Sequence, residues 1–177
     1  MQADPGAGLG AFNQADPREL APQLDACLGV PRWVHTLLEG RPYPDLPTLL
    51  ERAGGLATGI DDAELAAALA RHPRIGAPPT GDGTEAGWSR AEQSGVDPSD
   101  AQVQAALREG NAAYEQRFGH VFLVRAAGRS SAEMLALLRQ RLGNDPATER
   151  DVVREQLAQI ATLRLSALLD RLGEGAA

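Results

Sequence analysis

Only one run in this sequence, Val121-Phe122-Leu123-Val124, reads as a β-strand. A strand needs a partner along its edge, and a lone strand of this length finds none in the chain, so a sheet-based fold is excluded. The run becomes a buried extended connector. Almost everything else that is patterned carries helix signals. Asp16-Pro17-Arg18-Glu19 offers a capping side chain, a proline at the first helical position and a glutamate three residues on, followed by apolar Leu20 and Leu24. A short helix is expected around Trp33 to Leu38, closed by Gly40 and Pro42, and another in DLPTLLERAGG, ending at the pair Gly54-Gly55. Asp61 caps the next helix, with Glu64 reaching back and Ile60 stapling onto Leu65; Leu65, Leu69 and His72 share a face. Pro73 disfavours the α conformation in the residue before it, so that helix stops at His72.

After the loop GAPPTGDGT comes one short helix in EAGWSRAEQSG, closed by Gly95. Asp97-Pro98 opens a longer one with Val103, Leu107, Tyr114 and Phe118 as its apolar line, and Asn111 lies on that line. Ser130 and Glu133 form a capping box for a helix through Leu142, and the last helix runs from about Pro146 to Leu172. The pattern predicts an all-α, single-domain helical bundle over residues 1–177 with one short extended connector, and disorder over about residues 1–8.

Composition removes whole classes of function. A formal net charge of -7 argues against nucleic acid or an anionic membrane as the main partner, because neutralising phosphates needs a basic surface. All 17 basic residues are arginine; without a lysine there is no Schiff base, no pyridoxal phosphate anchor and no Walker-A loop. Cys27 is the only cysteine, which excludes an intrachain disulfide and the four-cysteine zinc patterns and fits a reducing cytoplasm. His35, His72 and His120 are far apart, with no HExxH, CxxC, GxSxG or GxGxxG, so neither a metal nor a bound cofactor is expected. The amino terminus lacks the basic start and apolar run of a secretory signal, and no segment reaches about 18 consecutive apolar residues. The terminal GEGAA is not a peroxisomal tripeptide, and a cytoplasmic protein is expected.

Polar residues on core-facing lines mark where chemistry is to be sought, since burying them unpaired costs several kcal/mol. Arg164 falls within the stripe Val153, Leu157, Ile160 and Leu168 of the last helix. It is either an internal ion-pair partner or a clamp on an anionic substrate. Ser89, Glu92 and Gln93 project from one helical face beside Trp88, either as a solvated face or as a substrate-reading edge. His72 is either a capped histidine stabilised at a helix carboxy end or a proton donor and acceptor near neutral pH.

The blocks RPYPDLPTLL, AALARHPRIG, WSRAEQSGV, NAAYEQRFGHVFLVRAAGRS and ATLRLSALL resemble, in order and spacing and over nearly the whole chain, the 2-oxo-4-hydroxy-4-carboxy-5-ureidoimidazoline (OHCU) decarboxylase family of urate degradation. The resemblance implies an all-α, cofactor-free decarboxylase that turns OHCU into (S)-allantoin and carbon dioxide. It implies His72 as general acid/base assisted by Glu92, with Pro73 touching the substrate. Ser89, Arg90, Ala91 and Gln93 of SRAEQ, the backbone of Phe122, Leu123, Val124, Arg125 and Ala126, and Arg164 of TLRL would bind it. The chain departs from many family members in reading His120-Val121 where they carry an apolar residue and proline. A small-molecule substrate and a homodimer fit the resemblance. Two other classes stay open: a cofactor-free lyase or isomerase acting on another small ureido acid, and a non-enzymatic helical interaction module.

Overall fold

The computed structural model describes residues 5–77, 83–95 and 99–175. Among them it forms nine helices and no strand: α1 (Pro5–Gln14), α2 (Pro17–Leu28), α3 (Pro31–Glu39), α4 (Leu46–Thr58), α5 (Asp62–Leu69), α6 (Thr84–Glu92), α7 (Ala101–Phe118), α8 (Ser131–Arg141) and α9 (Pro146–Gly175). The all-α expectation holds. So does the connector expected at 121–124, which lies in a stretch, residues 121–126, that carries neither helix nor strand.

Five of the described helices start where short polar side chains satisfy the first backbone N–H groups. Asp16 accepts from the Arg18 N–H at 2.8 Å, Asp45 from Thr48 at 2.8 Å and Asp100 from Val103 at 3.0 Å. Ser130 and Glu133 form the expected capping box at the head of α8. Asp145 accepts from Ala147 and Thr148, both at 3.0 Å, where α9 begins. Gly29 and Gly119 close α2 and α7 in the left-handed conformation, with φ of 77° and 78°, which glycine adopts without steric cost.

Three boundaries differ from expectation. Helix α1 starts at Pro5, so residues 5–8 are helical rather than disordered, and Gly8 lies so close to the Leu169 carbonyl that no Cβ would fit there. Helix α4 does not end at Gly54-Gly55 but continues to Thr58. Each glycine costs roughly 1 kcal/mol in a helix interior, but burial of Leu49, Ala53 and Ala57 on one face outweighs the propensity. Helix α5 stops at Leu69 rather than at His72. Its last turn tightens instead: the Arg71 N–H donates to the Ala68 carbonyl at 3.1 Å and the His72 N–H to Leu69 at 3.0 Å. The helix start expected at Asp97-Pro98 lies outside the described residues, and α7 begins at Ala101.

The chain divides into two compact units, residues 1–61 with 157–177, and residues 62–156; α9 contributes to both. In the first, α2 packs on α3, α3 on α4 and α1 on α4. Phe12, Leu20, Leu24, Trp33, Leu37 and Leu49 are fully buried there, and the Trp33 indole N–H donates to the Ala53 carbonyl at 2.9 Å. In the second, α7 packs on α8 around Ile75, Leu107, Tyr114, Met134 and Leu138. Phe122, Val124 and Ala126 of the connector join that same core. Alternate residues facing one core is the period of an extended chain.

Candidate active site

The His72 loop is braced on α6 from both sides. Ahead of it, Arg71 pairs with Glu85 in the first turn of α6. Behind it, the Gly76 N–H donates to the Gln93 side-chain oxygen at the other end of that helix, at 3.0 Å. The two ties hold HPRIG against the SRAEQ helix and leave His72 and Pro73 half-buried between them. Gly76 has φ of 83°, and a Cβ there would meet the Gln104 side-chain oxygen at 3.2 Å, so the turn requires glycine. From α7, the Asn111 amide donates to the Ile75 carbonyl at 2.9 Å. The polar misfit on the core-facing line of α7 is thus a brace for the same loop.

On α6 itself the helical spacing sorts the SRAEQ residues. Ser89 is buried, Glu92 and Gln93 are half-buried, and Arg90 and Ala91 lie on the exposed side. The far end of this segment meets the connector's exit: a Cβ on Gly95 would stand 2.1 Å from the Arg129 carbonyl, so the two backbones touch and only glycine fits.

The connector is buried, yet much of its backbone is unpaired. Side chains of α8 and α9 hold two of its polar groups: the Leu123 carbonyl accepts from Arg141 at 2.5 Å, and the Arg125 N–H donates to Gln156 at 3.0 Å. Arg129 donates to the Arg125 carbonyl at 3.0 Å, and the Arg129 N–H to Ala126 at 3.0 Å. Among the described residues, the N–H and C=O of Val124 find no hydrogen-bond partner, although Val124 is only 4% exposed. Unpaired buried backbone is costly and uncommon, which marks this edge as a place where another molecule can supply the partners.

Arg164 is 5% exposed on the part of α9 that belongs to the first unit, within the stripe of Leu157, Ile160, Leu165 and Leu168. It is therefore a buried cation, as the helical pattern indicates. A cavity of about 550 Å³ opens in the second unit beside Arg74, Gly76, Arg108, Asn111 and Glu115, on the α7 side of the loop; His72 and the α6 residues do not line it. Among the described residues no group of three or more His, Cys, Asp or Glu side chains stands close enough to hold a metal ion. No described helix is long and apolar enough to cross a membrane.

One arrangement escapes the sequence reading. Arg141 and Glu149 form a buried ion pair, with Arg141 Nε and Nη2 donating to Glu149 Oε1 at 2.8 and 2.6 Å. The Tyr114 hydroxyl donates to the same carboxylate, and Asn144 donates to its other oxygen at 2.7 Å. Burial pushes the Tyr114 phenol well above its ordinary value, and the hydrogen bond to Glu149 raises it further, so the hydroxyl stays a neutral donor. Arg141 also lies over the Phe122 ring, 4.7 Å from its centre. In sequence, Arg141 looks like an exposed cation suited to a helix carboxy end and Glu149 like an acid suited to a first turn. Only the packing of α7 on α8 turns them inward.

The family model of OHCU decarboxylase matches residues 13–166. The chain is 31% identical over 132 residues to the 2-oxo-4-hydroxy-4-carboxy-5-ureidoimidazoline decarboxylase of Amia calva, covering 73% of this chain and 75% of that protein. It is 34% identical over 104 residues to the uric acid degradation bifunctional protein TTL of Arabidopsis thaliana, covering 57% of this chain and 32% of that one. Its fold is similar to that of an OHCU decarboxylase solved in the presence of (S)-allantoin, with a TM-score of 0.65 at 23% identity over 82% of this chain and 95% of the other. It is also similar in fold to an (S)-allantoin synthase, with a TM-score of 0.68 at 16% identity over 90% and 53% of the two chains. With the family model spanning HPRIG, SRAEQ, the connector and Arg164, the chain belongs to the OHCU decarboxylase family.

Proposed function

We infer that this chain decarboxylates OHCU to (S)-allantoin and carbon dioxide in urate degradation, with His72 as its acid/base group. Membership of the family makes the chain a carboxy-lyase acting on a small molecule. The observation that carries the residue assignment is the double tie of the His72 loop to α6, through Arg71–Glu85 and Gly76–Gln93, which supports His72 and the SRAEQ edge working as one unit.

The chemistry asks little of the protein. The carbon that loses its carboxylate neighbours an imine carbon, so as carbon dioxide departs the C–C bonding pair becomes a C=C bond and the imine pair moves onto nitrogen, which takes a proton. The hydroxyl on the first carbon then gives up its proton to become the carbonyl, and the neighbouring ureido-bearing carbon takes up a proton. No pyridoxal or thiamine electron sink is needed, in keeping with a reaction free of cofactor. In this reading Glu92 assists His72 at the hydroxyl and carboxylate, Ser89 and Gln93 read the ureido side, and Pro73 contacts the substrate. The connector backbone from Phe122 to Ala126 orients the anion, Arg90 and Ala91 border the site, and Arg164 is assigned to substrate binding from its match to the TLRL block alone. Proton delivery to one face sets the S configuration. The whole chain acts as one catalytic domain in the cytoplasm, without nucleic acid or membrane partners and in a form compatible with a homodimer.

Generating OHCU in the cuvette from urate with urate oxidase and hydroxyisourate hydrolase, then following circular dichroism, tests this directly. Build-up of the (S)-allantoin signal in proportion to protein concentration is expected, and a trace matching the no-protein control refutes the reading. In the same assay His72→Asn is expected to lose about 10²- to 10⁴-fold in kcat while retaining its helical spectrum, the range for removing a positioned acid/base. Wild-type turnover by the folded variant would remove His72 from the mechanism.

A further inference from the structure

We propose that Arg141 and Gln156 are positioning residues that turn the connector into a one-edged substrate-binding strand. The inference rests on the OHCU decarboxylase reading and adds residues which that reading does not contain. In an extended chain the backbone groups of alternate residues point to opposite edges. The side chains of Phe122, Val124 and Ala126 enter the α7–α8 core, so the connector has the period of such a chain. The groups that side chains of other helices hold fall on the residues between: Arg141 of α8 holds the Leu123 carbonyl at 2.5 Å, and Gln156 of α9 holds the Arg125 N–H at 3.0 Å, with Arg129 adding a bond to the Arg125 carbonyl at 3.0 Å. One edge is thereby held by three side chains. The Val124 N–H and C=O face the other, where no described residue meets them.

The Arg141 clamp is not free to swing. Arg141 spends Nε and Nη2 on Glu149 and has Nη1 left for Leu123, while Glu149 is fixed in turn by Tyr114 and Asn144. Gln156 sits on a continuous helix, α9. A peptide held at both flanking residues cannot rotate its N–H away from a bound anion. Such preorganised amides bind without the cost of ordering them at each encounter.

Steady-state kinetics on OHCU, with thermal melts of the same samples, test the clamp in two variants. Gln156→Met keeps the length of the side chain and loses the acceptor. Arg141→Met with Glu149→Leu removes both buried charges together, which avoids stranding either one. Each is expected to melt within a few degrees of wild type, to raise KM about tenfold and to leave kcat within about twofold, the signature of lost binding made equally in ground and transition states. Wild-type KM in a folded variant overturns the inference, as does a fall in kcat at unchanged KM. If the double variant fails to fold, Gln156→Met alone decides. A wild-type chain inert on OHCU overturns the decarboxylase reading and this inference with it. An active wild type with unperturbed variants overturns the inference alone.

Discussion

Two arginine–glutamate pairs flank the candidate site in the second unit, and they differ in what surrounds them. Arg74 and Glu115 tie the His72 loop to α7 through two hydrogen bonds, one of them 2.7 Å, with side chains 60% and 24% exposed. Arg141 and Glu149 tie α8 to α9 with side chains 7% and 0% exposed. Water screens the first pair and makes good its loss. The second pair has no such recourse: each ion left several kcal/mol of hydration behind, and mutual attraction repays this only when every remaining donor and acceptor is used. Here they are used, by Tyr114, Asn144 and the Leu123 carbonyl. The lesson is that the buried pair is poor evidence for net stability and good evidence for fixed geometry. The exposed pair is evidence for neither.

The sharpest way to break that contrast is to remove one ion at a time. Arg141→Met strands the Glu149 carboxylate in the core and should cost about 3–5 kcal/mol, a fall in Tm of roughly 10 °C for a chain of this size. Glu149→Leu should do the same, whereas the two together should return most of the loss. Thermal denaturation of the three variants decides the matter. Single variants that melt like wild type would mean the pair is neither buried nor coupled.

A neutral brace falls between the two. Asn111→Leu keeps the volume but leaves the Ile75 carbonyl unsatisfied, which should cost about 1–3 kcal/mol. The net cost should sit at the low end, because the variant also removes the Asn111 side-chain oxygen, a buried acceptor without a partner among the described residues. Since Ile75 lies three residues from His72, kcat/KM on OHCU should fall severalfold as well. A stability loss with unchanged turnover would show that the α7 brace serves the core and not the loop.

How far the sequence anticipates these features depends on whether local chemistry or tertiary packing decides them. Asp16 and Ser130 mark helix starts through bonds to N–H groups two or three residues away, so they are legible in a short window. His72, Ser89, Glu92, Gln93 and Arg164 stand out because they conflict with an otherwise apolar pattern or combine into family blocks. Gly54-Gly55 misleads, since the propensity penalty is local while the packing that overrides it is not. Arg141 and Glu149 each satisfy a local rule for exposed helix ends, so no conflict signals their burial; Tyr114, to which Glu149 bonds, is 35 residues away. His120 fills its unusual position by lying against the Tyr114 ring, 5.5 Å between centres, which only the fold shows.

The smallest expected effect tests the exposed end of the comparison. The hydrogen bond from Arg74 holds the Glu115 carboxyl below its ordinary value of 4.5. A carboxyl whose value is depressed by folding adds stability that is complete above the unfolded value and disappears as pH falls through the folded one. Wild type should therefore out-melt Glu115→Gln by less than about 2 °C at neutral pH, and the gap should close as pH drops from about 5 towards 3. Added salt should narrow it at pH 7, because exposed charges are screened over about 10 Å at 0.1 M ionic strength. The Arg141–Glu149 pair should not respond to salt in this way, since no ion reaches it. A Glu115→Gln gap as large and as salt-insensitive as that of Arg141→Met would erase the distinction between the two pairs.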